Sequence, residues 1–110
     1  MKREIPVKRG SGNVFADLGF AHPDDEALKA DLVREIREII SRRKLTQEQA
    51  ARMLGIRQPD VSALVNGRVA KFSLERLLRF MPRLGRDVEI VVRAKPASRP
   101  ARMKVAVVGA

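Results

Sequence analysis

Hydrophobic residues early in the chain recur at steps of three and four positions, which is the spacing of one face of an α-helix. The recurring positions are Leu28, Leu32, Val33, Ile36, Ile39 and Ile40. Acidic residues precede this stretch and the basic residues Arg42, Arg43 and Lys44 end it, an order that suits the helix dipole. The pattern predicts a helix over 24–43, with Pro23 at its first turn.

A glycine separates the next two apolar stretches. Thr46 and Gln49 have the spacing of a capping box, so a helix is expected to begin there and to end at Gly55. A second short helix is expected over 58–66, because Pro59 is tolerated in a first turn. Its apolar edge consists of Val61, Leu64 and Val65. Each helix is too short to be stable alone, so both need the flanking helices as a platform.

A further helical pattern begins after Ser73, which is a favourable N-cap residue. Its apolar positions are Leu74, Leu77, Leu78, Met81 and Leu84, and Gly85 ends it. Pro82 lies near the end and predicts a kink or a shortened last turn.

Beyond Gly85 the hydrophobic period changes from that of a helix to that of a strand. Val88, Ile90 and Val92 alternate with Asp87, Glu89, Val91 and Arg93. A second strand is expected over 103–108, after the proline-containing segment 96–100. A lone strand leaves backbone hydrogen-bonding groups unpaired, so 87–93 must pair either with 103–108 or with a second copy of the chain.

The composition favours one globular domain with a basic surface. The chain has 110 residues, of which 45% are hydrophobic. Its net charge of +10 and its pI near 11.2 indicate an anionic partner. Aromatic residues make up only 4%, with no Trp or Tyr, so stacking on single-stranded bases is disfavoured. Double-stranded DNA is therefore the expected partner.

Sequence features of enzymes, disulfide-linked proteins and membrane proteins are missing. Cysteine is absent and His22 is the single histidine, which excludes disulfides and thiolate metal sites. No phosphate-binding loop, nucleophile motif or metal-ligand spacing is present, so neither catalysis nor a cofactor is expected. With no signal peptide and no apolar run long enough to cross a membrane, we expect a cytoplasmic protein, associated with the nucleoid when bound to DNA.

The outward side of the helix over 58–66 carries the candidate base-reading residues. Gln58 can donate and accept hydrogen bonds together, which fits the major-groove edge of adenine, and Ser62 can do either. Pro59 and Ala63 offer apolar contact, for example to a thymine methyl group. Asp60 has two interpretations: it compensates the helix dipole, or it accepts a hydrogen bond from a cytosine amino group.

Phosphate contacts are expected from polar and basic residues that flank the helix pair. The candidates are Gln47, Arg43, Lys44, Arg57, Asn66, Arg68 and Lys71. Such contacts fix the register of a protein on DNA without reading its sequence. For each cation taken singly a solvated surface charge is the alternative, whereas their clustering beside one helix pair favours DNA.

Residues 45–51, Leu54-Gly55-Ile56 and Asn66-Gly67 resemble the Cro/C1-type (XRE-family) helix-turn-helix domain of phage repressors. The resemblance implies a mainly α fold, a lambda-repressor-like bundle of four to five helices with a C-terminal β-strand or hairpin. It also implies a phosphate contact from Gln47 and base contacts from the four outward residues named above. Arg57 and Pro59 depart from the family pattern, and Pro59 removes a polar reader.

The flanking segments 12–19, 72–78 and 85–92 resemble a group of small bacterial XRE regulators, many of which are similar to HigA-type antitoxins encoded beside a RelE-like toxin. From the helix pair and the basic charge we expect a sequence-specific DNA-binding transcriptional regulator that acts as an autoregulatory repressor. The alternative, which the flank resemblance implies, is an antitoxin that neutralises a RelE/HigB-like ribonuclease toxin by direct binding.

The expected organisation has three parts: a flexible basic arm over 1–21, the DNA-binding domain over 22–85, and a C-terminal strand region over 86–110 that supports dimerisation. A single helix-turn-helix unit reads few base pairs, so a homodimer with two recognition helices about 34 Å apart is expected. The candidate interface residues are Leu78, Met81, Val88, Ile90 and Val92.

Overall fold

The structure is a computed structural model that describes residues 24–109, and within that range it is helical. Four α-helices follow one another: α1 (Asp24–Arg42), α2 (Gln47–Leu54), α3 (Gln58–Val65) and α4 (Leu74–Arg83). A short 3₁₀ turn, Val69–Lys71, connects α3 to α4. The predicted helical bundle is therefore confirmed. The arm expected over 1–21 and His22 lie outside the described residues.

Each of the four described helices is followed by a residue in the left-handed conformation. These residues are Lys44, Gly55, Gly67 and Gly85, with φ angles between 53° and 79°. After α1, the Leu45 amide donates to the Ile40 carbonyl oxygen at 3.0 Å, a bond that closes the helix end. Lys44 occupies the position that glycine takes after the other three helices, although its Cβ makes this conformation unfavourable.

The hydrophobic core lies where α1 and α4 meet the two short helices. α1 packs against α3 and α4, and α2 packs against α3 and α4. The large side chains that are almost completely buried are Ile36, Ile39, Val61, Leu64, Phe72, Leu77 and Leu84. Burial of one such side chain stabilises the fold by about 1.5–3 kcal/mol. Tertiary packing therefore holds α2 and α3 in place despite their length of 8 residues each.

The C-terminal region differs from its predicted structure, because residues 86–109 contain no β-strand. The hairpin expected between 87–93 and 103–108 is not formed in the single chain. Met103 and Val105 instead pack against the helical core, whereas Val88 and Ile90 are 41% and 55% exposed. The two segments thus do not share one hydrophobic face, and pairing within the chain has little to stabilise it.

None of the helices described between residues 24 and 109 combines the length and the apolar character that crossing a bilayer requires.

Candidate nucleic-acid interface

The turn between α2 and α3 is built by local hydrogen bonds and by one glycine. The Gln49 amide donates to the Thr46 hydroxyl at 3.1 Å, and the Thr46 amide donates to the Gln49 side chain at 2.9 Å, which confirms the predicted capping box. Gly55 has a φ of +69°, the left-handed conformation that glycine adopts without strain. The capping box thus defines the start of α2, and Gly55 ends the helix and begins the turn into α3.

The first turn of α3 is open to solvent. Gln58 and Pro59 are exposed, and Ser62 is half-buried one turn later. The Asn66 side-chain amide lies 3.3 Å from the Ser62 hydroxyl and can donate to it. The structure thus brings three of the four predicted base-contact residues to one outward surface, with Asn66 at its far end.

Ala63 does not lie on this surface, because its side chain is 3% exposed. The prediction that Ala63 faces outward is wrong. α3 is in contact with α1, with α2 and with the turn Val69–Lys71. A larger part of its circumference is therefore buried than the edge formed by Val61, Leu64 and Val65. A small side chain inside that buried part packs within the domain and is not available to a base.

Asp60 is held by two cations that come from beyond α3. Its carboxylate oxygens lie 3.0 Å from Lys71 Nζ and 3.3 Å from Arg76 Nη2. The hydrogen bond from Lys71, the hydrogen bond from Arg76 and the nearby positive charges outweigh the partial desolvation and lower the pKa of Asp60. Both oxygens are therefore engaged inside the domain, which favours a structural role for Asp60 over contact with a cytosine amino group.

Arg76 is itself positioned by aromatic rings. Its guanidinium carbon lies 5.0 Å from the centroid of Phe72 and 5.6 Å from that of Phe80. The two rings pack edge to face at 6.1 Å. Asp60 and Arg76 together join the first turn of α3 to α4, a connection that the sequence pattern did not indicate.

All seven predicted phosphate contacts are exposed: Arg43, Lys44, Gln47, Arg57, Asn66, Arg68 and Lys71. Two of the cations also have partners inside the domain, since Lys71 pairs with Asp60 and Arg43 donates to the Leu84 carbonyl oxygen at 2.7 Å. Arg43 therefore caps the end of α4 as well as contributing positive charge.

Two further arginines lie beside the helix pair and are not among the residues predicted from sequence. Arg34, Arg37 and Lys44 line an open groove of about 540 Å³ between α1 and the end of α3. A guanidinium nitrogen of Arg37 lies 3.5 Å from where a Cβ of Gly67 would be, next to the turn that follows α3. Arg34 and Arg37 are exposed and three residues apart on one face of α1, a spacing that could have identified them from the sequence. Arg34 also pairs with Asp31 at 3.2 Å, and Glu38 lines the same groove.

Met81 is buried in the domain core at 4% exposure, so the prediction that it lies in a dimer interface is wrong. It turns inward because α4 packs its apolar face on α1 and α2. Leu78 is half-buried, and Val88, Ile90 and Val92 are exposed. Within the described part of the chain, no group of three or more His, Cys, Asp or Glu residues could hold a metal ion.

Comparisons with known proteins agree with this geometry. A family model described as a helix-turn-helix domain matches residues 14–93. A solved structure named "Putative XRE Family Transcriptional Regulator" is 44% identical, with a TM-score of 0.71, and the match covers 79% of this chain and 97% of that one. No curated protein matches the chain. The family model spans most of the chain and the solved structure matches along nearly its whole length, so the chain belongs to the XRE family of helix-turn-helix domain proteins.

Proposed function

We propose that the protein is a sequence-specific transcriptional regulator that binds double-stranded DNA and represses its own promoter. One observation carries the proposal: the first turn of α3 is exposed, and exposed basic residues flank it. Gln58 and Pro59 are exposed, as are Arg57 directly before them and Arg68 after the end of α3. A helix in this setting fits the major groove, where base edges can be read.

The basic surface supplies affinity for phosphate. Lys44, Arg57 and Arg68 are exposed in a chain of net charge +10. The capped start of α2 places Gln47 at its first turn, where backbone amides and the positive end of the helix dipole attract an anion. These contacts fix the protein on the duplex and make binding depend strongly on salt.

Sequence preference depends on few side chains. Gln58 can contact adenine through two hydrogen bonds, and Ser62 adds one donor or acceptor beside Asn66. Pro59 offers only an apolar contact, and Ala63 is buried. We therefore expect strong discrimination at one or two base pairs in each half-site.

A twofold homodimer completes the proposed regulator, with 22–85 reading DNA and the C-terminal region joining the subunits. Two copies of α3 placed about 34 Å apart would read two half-sites in successive major grooves. The candidate contacts between subunits are Leu78 on α4 and the exposed residues Val88, Ile90 and Val92. Such a dimer would act in the cytoplasm, on the nucleoid.

The test compares two glutamine variants on DNA fragments that the purified protein selects from a random pool. We expect Gln58→Ala to lose about 1–3 kcal/mol on the selected sequence and little on a scrambled one. Gln47→Ala is the matched control, because it removes the same amide from a phosphate position and should weaken both DNAs alike. Equal losses on both DNAs for both variants would refute the assignment of base reading to α3.

A further inference from the structure

Residues 87–95 alternate between an apolar face and a mainly charged face. Residues at even positions are apolar: Val88, Ile90, Val92 and Ala94. Residues at odd positions are charged except at the centre: Asp87, Glu89, Val91, Arg93 and Lys95. Gly85 precedes the segment with a φ of +79°, and Pro96, which cannot donate to a ladder, follows it. The segment has the pattern and limits of a strand.

This strand pattern has no partner among the described residues. Residues 87–95 are exposed and carry no strand hydrogen bonds, while 103–105 packs on the helical core. Ile90 and Val91 are 55% and 52% exposed, and Val92 is 91% exposed. Unpaired backbone groups beside exposed β-branched residues readily add another strand.

The order of charges makes the segment complementary to itself. The two acids come first and the two bases come last, at equal distances from Val91. In an antiparallel pair of copies centred on Val91, Asp87 lies opposite Lys95, and Glu89 lies opposite Arg93. A parallel pair would instead place like charges side by side, and cross-strand pairs of like charge are destabilising.

Other antiparallel registers place fewer of these charged residues opposite a residue of the opposite charge. A shift of one residue places apolar positions opposite charged ones. A shift of two residues, to a centre at Ile90, keeps Asp87 opposite Arg93 but places Glu89 opposite Val91. The register centred on Val91 is the one in which every charge has an opposite partner and Ile90 meets Val92.

We propose that two copies of this chain pair through residues 87–95 as an antiparallel two-stranded ribbon whose twofold axis passes at Val91. The segment holds two acids and two bases, so it is neutral within a chain of net charge +10 and can approach its copy without repulsion. A lone ribbon is marginally stable, so its apolar face packs on the helical domains. This pairing rests on the dimer in the proposed function and specifies its register.

Cysteine cross-linking tests the register, because the natural chain contains no cysteine. Directly opposed residues have Cα atoms about 4.5–5.5 Å apart, within the range of a disulfide. We expect Val91→Cys to give a covalent dimer on mild oxidation without DNA. Val88→Cys is the matched control: its two copies lie about 20 Å apart in this register. It should stay monomeric in a denaturing gel, while Val88→Cys combined with Ala94→Cys should cross-link.

Charge reversal tests the pairing without a covalent bond. Glu89→Arg places like charges opposite each other twice in the dimer and should weaken dimerisation roughly tenfold or more. Adding Arg93→Glu to the same chain should restore it, as sedimentation equilibrium would show. The proposal would be overturned if the chain were monomeric and the thiol of Val91→Cys stayed free. Residues 87–95 would then be a candidate binding site for another protein, such as a toxin. Because these measurements contain no DNA, DNA binding that survives such a result keeps the proposed function intact.

Discussion

The Arg43 side chain is bonded within the domain, so replacing it should affect the stability of the fold more than the affinity for DNA. Its Nη2 atom donates to the Leu84 carbonyl oxygen at 2.7 Å, across 41 residues of sequence. The bond ties the end of α1 to the end of α4 and satisfies a carbonyl that α4 leaves free. We predict that Arg43→Ala lowers the free energy of unfolding by more than it reduces the free energy of DNA binding.

The magnitude follows from the contact. A hydrogen bond from a charged group contributes about 1.5–3 kcal/mol when it is well shielded, and a cation at a helix C-terminus adds about 0.3–1 kcal/mol. Arg43 is exposed, so solvent screens part of this energy, and we expect a loss of about 1–2 kcal/mol. For a domain of this size, each 1 kcal/mol lowers the Tm by about 4–8 °C.

The assay combines urea unfolding, thermal unfolding and titration of a DNA duplex, with Arg57→Ala as the matched control. Arg57 is exposed, has no side-chain bond to cap α3, and precedes the proposed recognition surface. Its removal should leave the free energy of unfolding nearly unchanged and weaken binding to all duplexes. A structural role for Arg43 would be refuted if Arg43→Ala unfolded at the same urea concentration as the natural protein and lost as much DNA affinity as Arg57→Ala.

Three further predictions follow from particular contacts. Lys44→Gly should raise the free energy of unfolding by about 0.5–1 kcal/mol, because glycine tolerates a φ of 53°. It should also weaken DNA binding, because it removes a cation. Unchanged stability in urea would contradict the first expectation. Leu64→Ala should cost about 2–5 kcal/mol by leaving a cavity under α3, and a smaller loss in urea would show that the site collapses. Asp60 has a lowered pKa, so its ion pairs stabilise the fold fully above the ordinary aspartate pKa of about 3.9 and stop doing so as the pH falls through the lowered value. The stability difference between the natural protein and Asp60→Asn should therefore shrink below about pH 4, and a difference that stays constant across acid pH would count against this role.

The helices could be predicted because their signals are local. The capping box at Thr46 and Gln49, the cap at Ser73 and the glycine after α2 each act within a few residues, and the structure has all three. The exposure of Gln58 followed from the same reasoning, since it precedes the apolar edge of α3.

Features that depend on distant neighbours were not predicted. Ala63 is buried because three elements surround α3, and Met81 is buried because α4 packs inward. The pairing of Asp60 with Arg76 joins residues 16 apart in sequence. The strand predicted over 87–93 is not formed, because alternation alone does not supply a partner and the described part of the chain offers none.

Binding of duplex DNA through phosphate contacts around the start of α3 is best tested by the salt dependence of the binding constant. Lys44, Arg57 and Arg68 in two subunits would neutralise six phosphates, so the logarithm of the binding constant should fall with the logarithm of salt concentration with a slope of about −5. Arg57→Ala should make that slope shallower by about 2. A slope near zero, or one that Arg57→Ala leaves unchanged, would contradict the claim.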